Sequence, residues 1–284
     1  MPNWKMSLCT ITTTGDKMIN MPLFKTMFRK QLPIFLAYSL ALMAYTWLLM
    51  WIFPTIAGNE SMEDLLKSMP QPMLKMFNLD EGAFSNFNNY MATEFYSLIW
   101  ILALSVFVVT TAISLIARIV DNKSIGSLLA SPLSRMQILA TQVAVLLSGL
   151  LIVVTVSIFS VFIGSLIWDI KIDFGRYVNL GLLGMLFYTA ISSYCVFFST
   201  LFNEAKKATG WAGGLTFVFY SFNLVSNLTD KTEWLQNLTL FSLFKPLDIL
   251  NNNNTAAEAA VLAVVTIIVM TAAFRVFIHK DFPV

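Results

Sequence analysis

Six runs of about twenty residues, each almost wholly apolar and none broken by a charge at its middle, constrain this chain more than anything else in it. A hydrocarbon core is roughly 30 Å thick, and about twenty residues of α-helix cross it. Inside it each backbone N–H and C=O must find a partner within the chain, so only helices and closed barrels can span. The runs are continuous and do not alternate at period two, which selects helices. Composition agrees, with 12% charged and 57% hydrophobic residues against about 25% charged in a soluble domain. The expected fold class is an all-α polytopic membrane protein with six transmembrane helices.

The expected spans cover residues 33–57, 95–117, 138–168, 178–202, 208–227 and 259–277, within a single domain at 21–284. Residues 1–20 are polar and Thr-rich and read as a disordered cytoplasmic leader. They lack the apolar core and small-residue cleavage site of a secretory signal, and Met21, where the patterned sequence begins, is a candidate start. Six spans put both termini on one side. Of the 18 Lys and Arg, twelve fall in the terminal segments and the links at 118–137 and 203–207, and six on the other side. Positive charge marks the cytoplasmic face. Both termini and these links are therefore expected to be cytoplasmic, and the two long loops, 58–93 and 228–258, outside. Four Asn-x-Ser/Thr triplets, at Asn59, Asn227, Asn237 and Asn253, fall in or at the edges of those loops. Asn-rich loops generate such triplets by chance.

Residues 21–32 read as an amphipathic helix in the membrane interface. Leu23, Phe24, Met27 and Phe28 form one stripe, and Lys25, Arg29 and Lys30 take the remainder, toward anionic headgroups. The plainer reading is a basic foot to the first span. In the fifth span Gly213, Gly214 and Asn223 let a helix approach closely and offer a polar group that seeks a partner in hydrocarbon. That pattern serves packing within the chain or a dimer interface.

The chain has no GxxxxGK[ST] phosphate loop, no HExxH and no GxSxG, and it has a single histidine, His279. It is not expected to be an enzyme or to hold a cofactor, and its net charge of +2 is too small to imply nucleic acid. Cys9 and Cys195 are far apart and form no CxxC. Ion-coupled transporters place ionisable groups within the membrane because the coupling ion needs a partner there. The spans here carry none at mid-depth, so energy for uphill transport is expected from another chain.

The link between the second and third spans, RIVDNKSIGSLLASPLSRMQIL, resembles the cytoplasmic loop of ABC-2-type exporter permeases. That family's usual order is an acidic residue, Gly-Ser/Thr, an apolar run with Leu-Leu, a small pair, Pro, and a basic residue three positions on. Here the order reads Asp121, Lys123-Ser124, Leu128-Leu129, Ala130-Ser131, Pro132 and Arg135, with Lys123 where glycine is frequent. The resemblance covers residues 21–282. It implies a permease that pairs with a second copy or a paralogue in a bacterial cell membrane and binds a separate ABC ATP-binding subunit. The link would be its coupling helix, with Leu128 and Leu129 giving apolar contact, Lys123 and Arg135 pairing with acidic groups, and Pro132 ending the helix. Phe24, Lys25, Phe28 and Arg29 of the interfacial helix would make a second contact. The substrates implied are hydrophobic or amphipathic: peptides, antibiotics or lipid-like molecules, so that antimicrobial resistance is one expected role. The alternatives are a secondary transporter or channel, and a membrane sensor or assembly subunit that transports nothing.

Overall fold

The computed structural model describes residues 18–56, 68–70, 74, 84, 86–121, 133–228, 230–251 and 253–280. Among these residues secondary structure is entirely helical. Six long helices follow the six apolar runs: α1, Met21–Ile56; α2, Phe87–Asp121; α3, Arg135–Ile167; α4, Phe174–Leu201; α5, Ala205–Ser226; and α6, Ala256–His279. All but α5 are long and apolar enough to cross a membrane. At 22 residues α5 is about 33 Å long. Lys206, Lys207, three glycines and Asn223 lower its hydropathy, so five helices qualify as spans by composition.

Helix α4 is the centre of the bundle and packs against α2, α3, α5 and α6, while α1 lies against α3. Small residues set the closest approaches. A Cβ on Gly184 of α4 would collide with the indole of Trp100 on α2, and one on Gly149 of α3 with the ring of Phe35 on α1. Trp100 is fully buried. Its ring meets Tyr96, Tyr188 and Phe244 at 5.5, 5.2 and 5.6 Å, mostly edge to face, and its indole N–H donates to Ser157 Oγ at 3.1 Å.

The helix ends have local causes. Ser134 and Gln137 form a capping box that starts α3, satisfying two orphan N–H groups. At the other end Asp169 takes φ = 50°, a left-handed conformation that Asp tolerates better than most residues. The Ile170 N–H then donates to Ser165 O at 3.0 Å, the closing bond of a Schellman stop. Asp173 caps α4 through Gly175 N.

Residues 21–32 differ from an isolated interfacial helix. They continue without interruption through Pro33 into one 36-residue helix, about 54 Å long. Their apolar stripe turns inward. Phe28 meets Phe35 at 5.6 Å, Phe35 meets Phe107 of α2 at 5.8 Å, and Leu23 and Gln31 are buried. Lys25, Arg29 and Lys30 are exposed. The spacing that seats a helix on headgroups also seats it on other helices, and here the stripe packs on the bundle.

Candidate functional site

Residues 122–132 lie outside the described residues, and with them Lys123, Ser124, Leu128, Leu129 and Pro132. The two ends of that segment are described, and both are tied to other helices. Asp121, the last residue of α2, accepts a hydrogen bond from Ala205 N at 3.2 Å through Oδ2. Ala205 opens α5, whose own N-cap, Glu204, makes no side-chain capping bond. A carboxylate from α2 thus satisfies a donor at the positive end of the α5 dipole. Arg135, the first residue of α3, donates from Nη1 to Ile278 O at 3.0 Å and Lys280 O at 2.7 Å, at the end of α6. Lys280 in turn donates from Nζ to Thr200 O at 2.7 Å and Leu201 O at 3.1 Å, at the end of α4.

The three contacts share one logic. A helix C-terminus presents unpaired carbonyls with partial negative charge, a helix N-terminus the reverse, and a full charge of the right sign fits each. Charge-assisted bonds of this kind contribute roughly 1.5–3 kcal/mol each when well formed. Lys280 is partly desolvated by its position, and burial lowers the pKa of its ammonium from the ordinary lysine value. The ends of the 122–134 link are thereby fastened to α4, α5 and α6 as well as to α2 and α3. We call this end of the bundle the foot.

At the opposite end of α2 and α5 is a cavity of about 220 Å³. Residues 91–99 of α2 form a π-helix, a geometry that often marks functional sites, and they bring Thr93 and Ser97 to the cavity wall. Asn223 and Asn227 line it from α5 and just beyond. The loop after α5 supplies Lys245 and Asp248, and its Phe244 and Phe241 form an apolar floor against Phe187 of α4, the first stacked and the second edge to face, at 5.2 Å each. Asp248 accepts a bond from Asn253 Nδ2 at 3.1 Å.

The other residues singled out from the sequence fall as follows. Phe24 and Phe28 are half-buried within the bundle, and Lys25 and Arg29 are exposed beside them. A Cβ on Gly213 or Gly214 would meet nothing within 4 Å. Among the described residues these glycines mediate no close contact. With Trp211, Phe217 and Val218 exposed on the same helix, α5 presents an open apolar face. Asn223 turns toward the cavity. Lys280, Thr93, Ser97, Lys245 and Asp248 carried no role in the sequence reading. Only the Ser134-x-x-Gln137 capping box had a visible local signal. Among the described residues no three His, Cys, Asp or Glu side chains gather closely enough to hold a metal.

Residues 43–282 match the family described as ABC-2 family transporter protein. The match covers well over half of the chain, and the chain belongs to that family. It is a multi-pass membrane transport component, of a kind that works with an ABC ATP-binding subunit. No curated protein matches the chain.

Proposed function

We propose that this ABC-2 permease is the membrane subunit of an ATP-driven exporter and moves a hydrophobic or amphipathic substrate outward. The observation that carries the reading is the foot. A short link whose ends are fastened to five of the six helices is suited to receive a push from outside the bundle. In this reading residues 122–134 dock on the ABC ATP-binding subunit, α5 serves as the sixth membrane span, and the foot faces the cytoplasm. The excess of Lys and Arg at that end supports the orientation. Closure of the ATP-binding subunits moves the link, and Asp121, Arg135 and Lys280 pass the displacement to α5, α6 and α4. Rigid elements joined at their ends move as units in domain closure of this kind. The open face of α5 around Gly213 and Gly214 meets a second permease copy or a paralogue, since small residues let membrane helices approach.

Two results test this reading. The purified chain alone is expected to show no ATP hydrolysis and to co-purify with an ATP-binding subunit when the two are expressed together; robust hydrolysis by the chain alone defeats the proposal. Lys280→Met is expected to separate binding from coupling, because it removes the charged tie between the C-terminal ends of α6 and α4 and leaves the link intact. The ATP-binding subunit should be retained, while substrate moved per ATP in vesicles falls by about tenfold or more, in keeping with the loss of about 1.5–3 kcal/mol of charged hydrogen bonding. Wild-type stoichiometry in this variant would mean that Lys280 is only a structural cap.

A further inference from the structure

The cavity opposite the foot is lined by two opposite charges that do not pair with each other. Lys245 and Asp248 lie one turn apart, as N-cap and third residue of the short helix Pro246–Leu250. Among the described residues the ion pairs are Arg176–Asp173 and Lys207–Glu204, and Lys245 has no partner there. Across from this pair stand the carboxamides of Asn223 and Asn227 and the hydroxyls of Thr93 and Ser97. Phe241 and Phe244 provide an apolar floor. A cation and an anion held apart on one wall, facing hydrogen-bonding groups on the other, complement a ligand that carries both signs of charge within a few ångströms.

Depth identifies the kind of ligand. Thr93, in the second turn of α2, and Asp121, its last residue, are 28 positions apart, which at a helical rise is about 42 Å. A bilayer including its headgroups is about 40–45 Å thick. With Asp121 at one headgroup layer, the cavity lies in the other. We infer that this cavity binds the zwitterionic headgroup of a lipid or lipid-like amphiphile of the phosphoethanolamine class. Lys245 takes the phosphate, the Asp248 carboxylate accepts from the primary ammonium, and the buried rings of Phe241 and Phe244 close the cavity beneath the headgroup. A choline headgroup has the same charges but no N–H to donate, and a glycerol headgroup has the anion alone. The site therefore discriminates between three lipids of equal tail.

The proposal stands apart from ATP coupling, and its test uses neither ATP nor transport. The full chain, purified in detergent, is offered an equimolar mixture of phosphatidylethanolamine, phosphatidylcholine and phosphatidylglycerol with identical acyl chains. Bound lipid is counted by native mass spectrometry. Wild-type protein is expected to retain phosphatidylethanolamine in preference to both others by about tenfold, the value of one charged hydrogen bond. Asp248→Asn is expected to abolish the preference, and Lys245→Gln to lower retention of all three lipids together, because each carries the phosphate. Neither residue is in the buried core, so both variants should match the wild-type melting temperature. Equal retention of the three lipids by wild-type protein overturns the proposal. So does a preference that persists in Asp248→Asn, or retention that Lys245→Gln leaves unchanged.

Discussion

Aspartate in place of Leu128 releases the ATP-binding subunit while leaving the permease inserted in the membrane: that is the expected result of the most disruptive substitution in the link. Leu128 and Leu129 are the only adjacent pair of large apolar residues between Asp121 and Pro132. A docking surface places its few energetic anchors in such desolvated pockets, where truncation costs roughly 2–4 kcal/mol. A carboxylate there adds the penalty of a buried, unpaired charge. Affinity should fall by about a hundredfold or more, and Leu129→Asp should behave alike. The readout is co-purification of the ATP-binding subunit with tagged permease, alongside the amount of permease in the membrane fraction. Undiminished co-purification in both variants would show that the link is not the docking element. Normal recovery of the permease is part of the expectation, because the helix ends at Asp121 and Arg135 are held by their own contacts.

These two substitutions and Lys280→Met form a set that distinguishes docking from transmission. Loss of the subunit in the leucine variants with its retention in Lys280→Met fits a lever fastened at both ends. Loss in all three would instead mean that Lys280 shapes the docking surface.

The helices were legible in the sequence because lipid imposes a local rule. Each span must be apolar over its own length, and that condition is met or missed within twenty consecutive residues. Gly184 has a local signature of the same kind, a glycine amid bulky apolar residues, which has few uses in a packed helix other than close approach. Its partner has none. Trp100 looks like any apolar residue of its run, and only the fold brings it onto α4. The glycines of α5 show the limit of that reading, since Gly213 and Gly214 carry the same signature and face open space.

The foot was half legible. Charges at span ends were expected at one face of the membrane, yet which carbonyl each would reach depends on helix order in the bundle. Arg135 and Ile278 are 143 positions apart, and no local pattern encodes that distance. Phe241 and Phe244 illustrate the same point for the cavity. They sit in an apolar stretch, residues 239–250, within an otherwise polar loop, and they enter the core through contacts with residues of α2 and α4 that no local pattern names. What escaped the sequence was mostly the contact between elements, together with the continuity of α1 through Pro33, the π-helix at 91–99 and the short helix Pro246–Leu250.

Trp100→Ala is expected to have the largest effect on the fold. The indole is fully buried among Tyr96, Tyr188 and Phe244, over Gly184, and it bonds Ser157. Lipid tails are as apolar as the side chains they replace, so burial from water contributes little inside the membrane and packing carries the stability. Truncation removes that packing and leaves a cavity, at a cost of about 3–5 kcal/mol by comparison with soluble cores. The melting temperature of the purified chain should fall by about 10 °C. Ser157 keeps its bond to Val154 O at 2.8 Å, so no hydroxyl is stranded and the loss is one of packing. Trp100→Phe, which preserves part of the aromatic contact, should recover about half of it. A melting temperature unchanged by Trp100→Ala would mean that α2 and α4 do not meet through this ring. The position also matters to coupling. Trp100 pins α2 against α4 between the cavity and the foot, so movement of Asp121 reaches the cavity only if these two helices hold together there. A fold stable enough to isolate, with ATP-binding subunit attached but transport lost, is therefore the expected phenotype of the milder Trp100→Phe substitution.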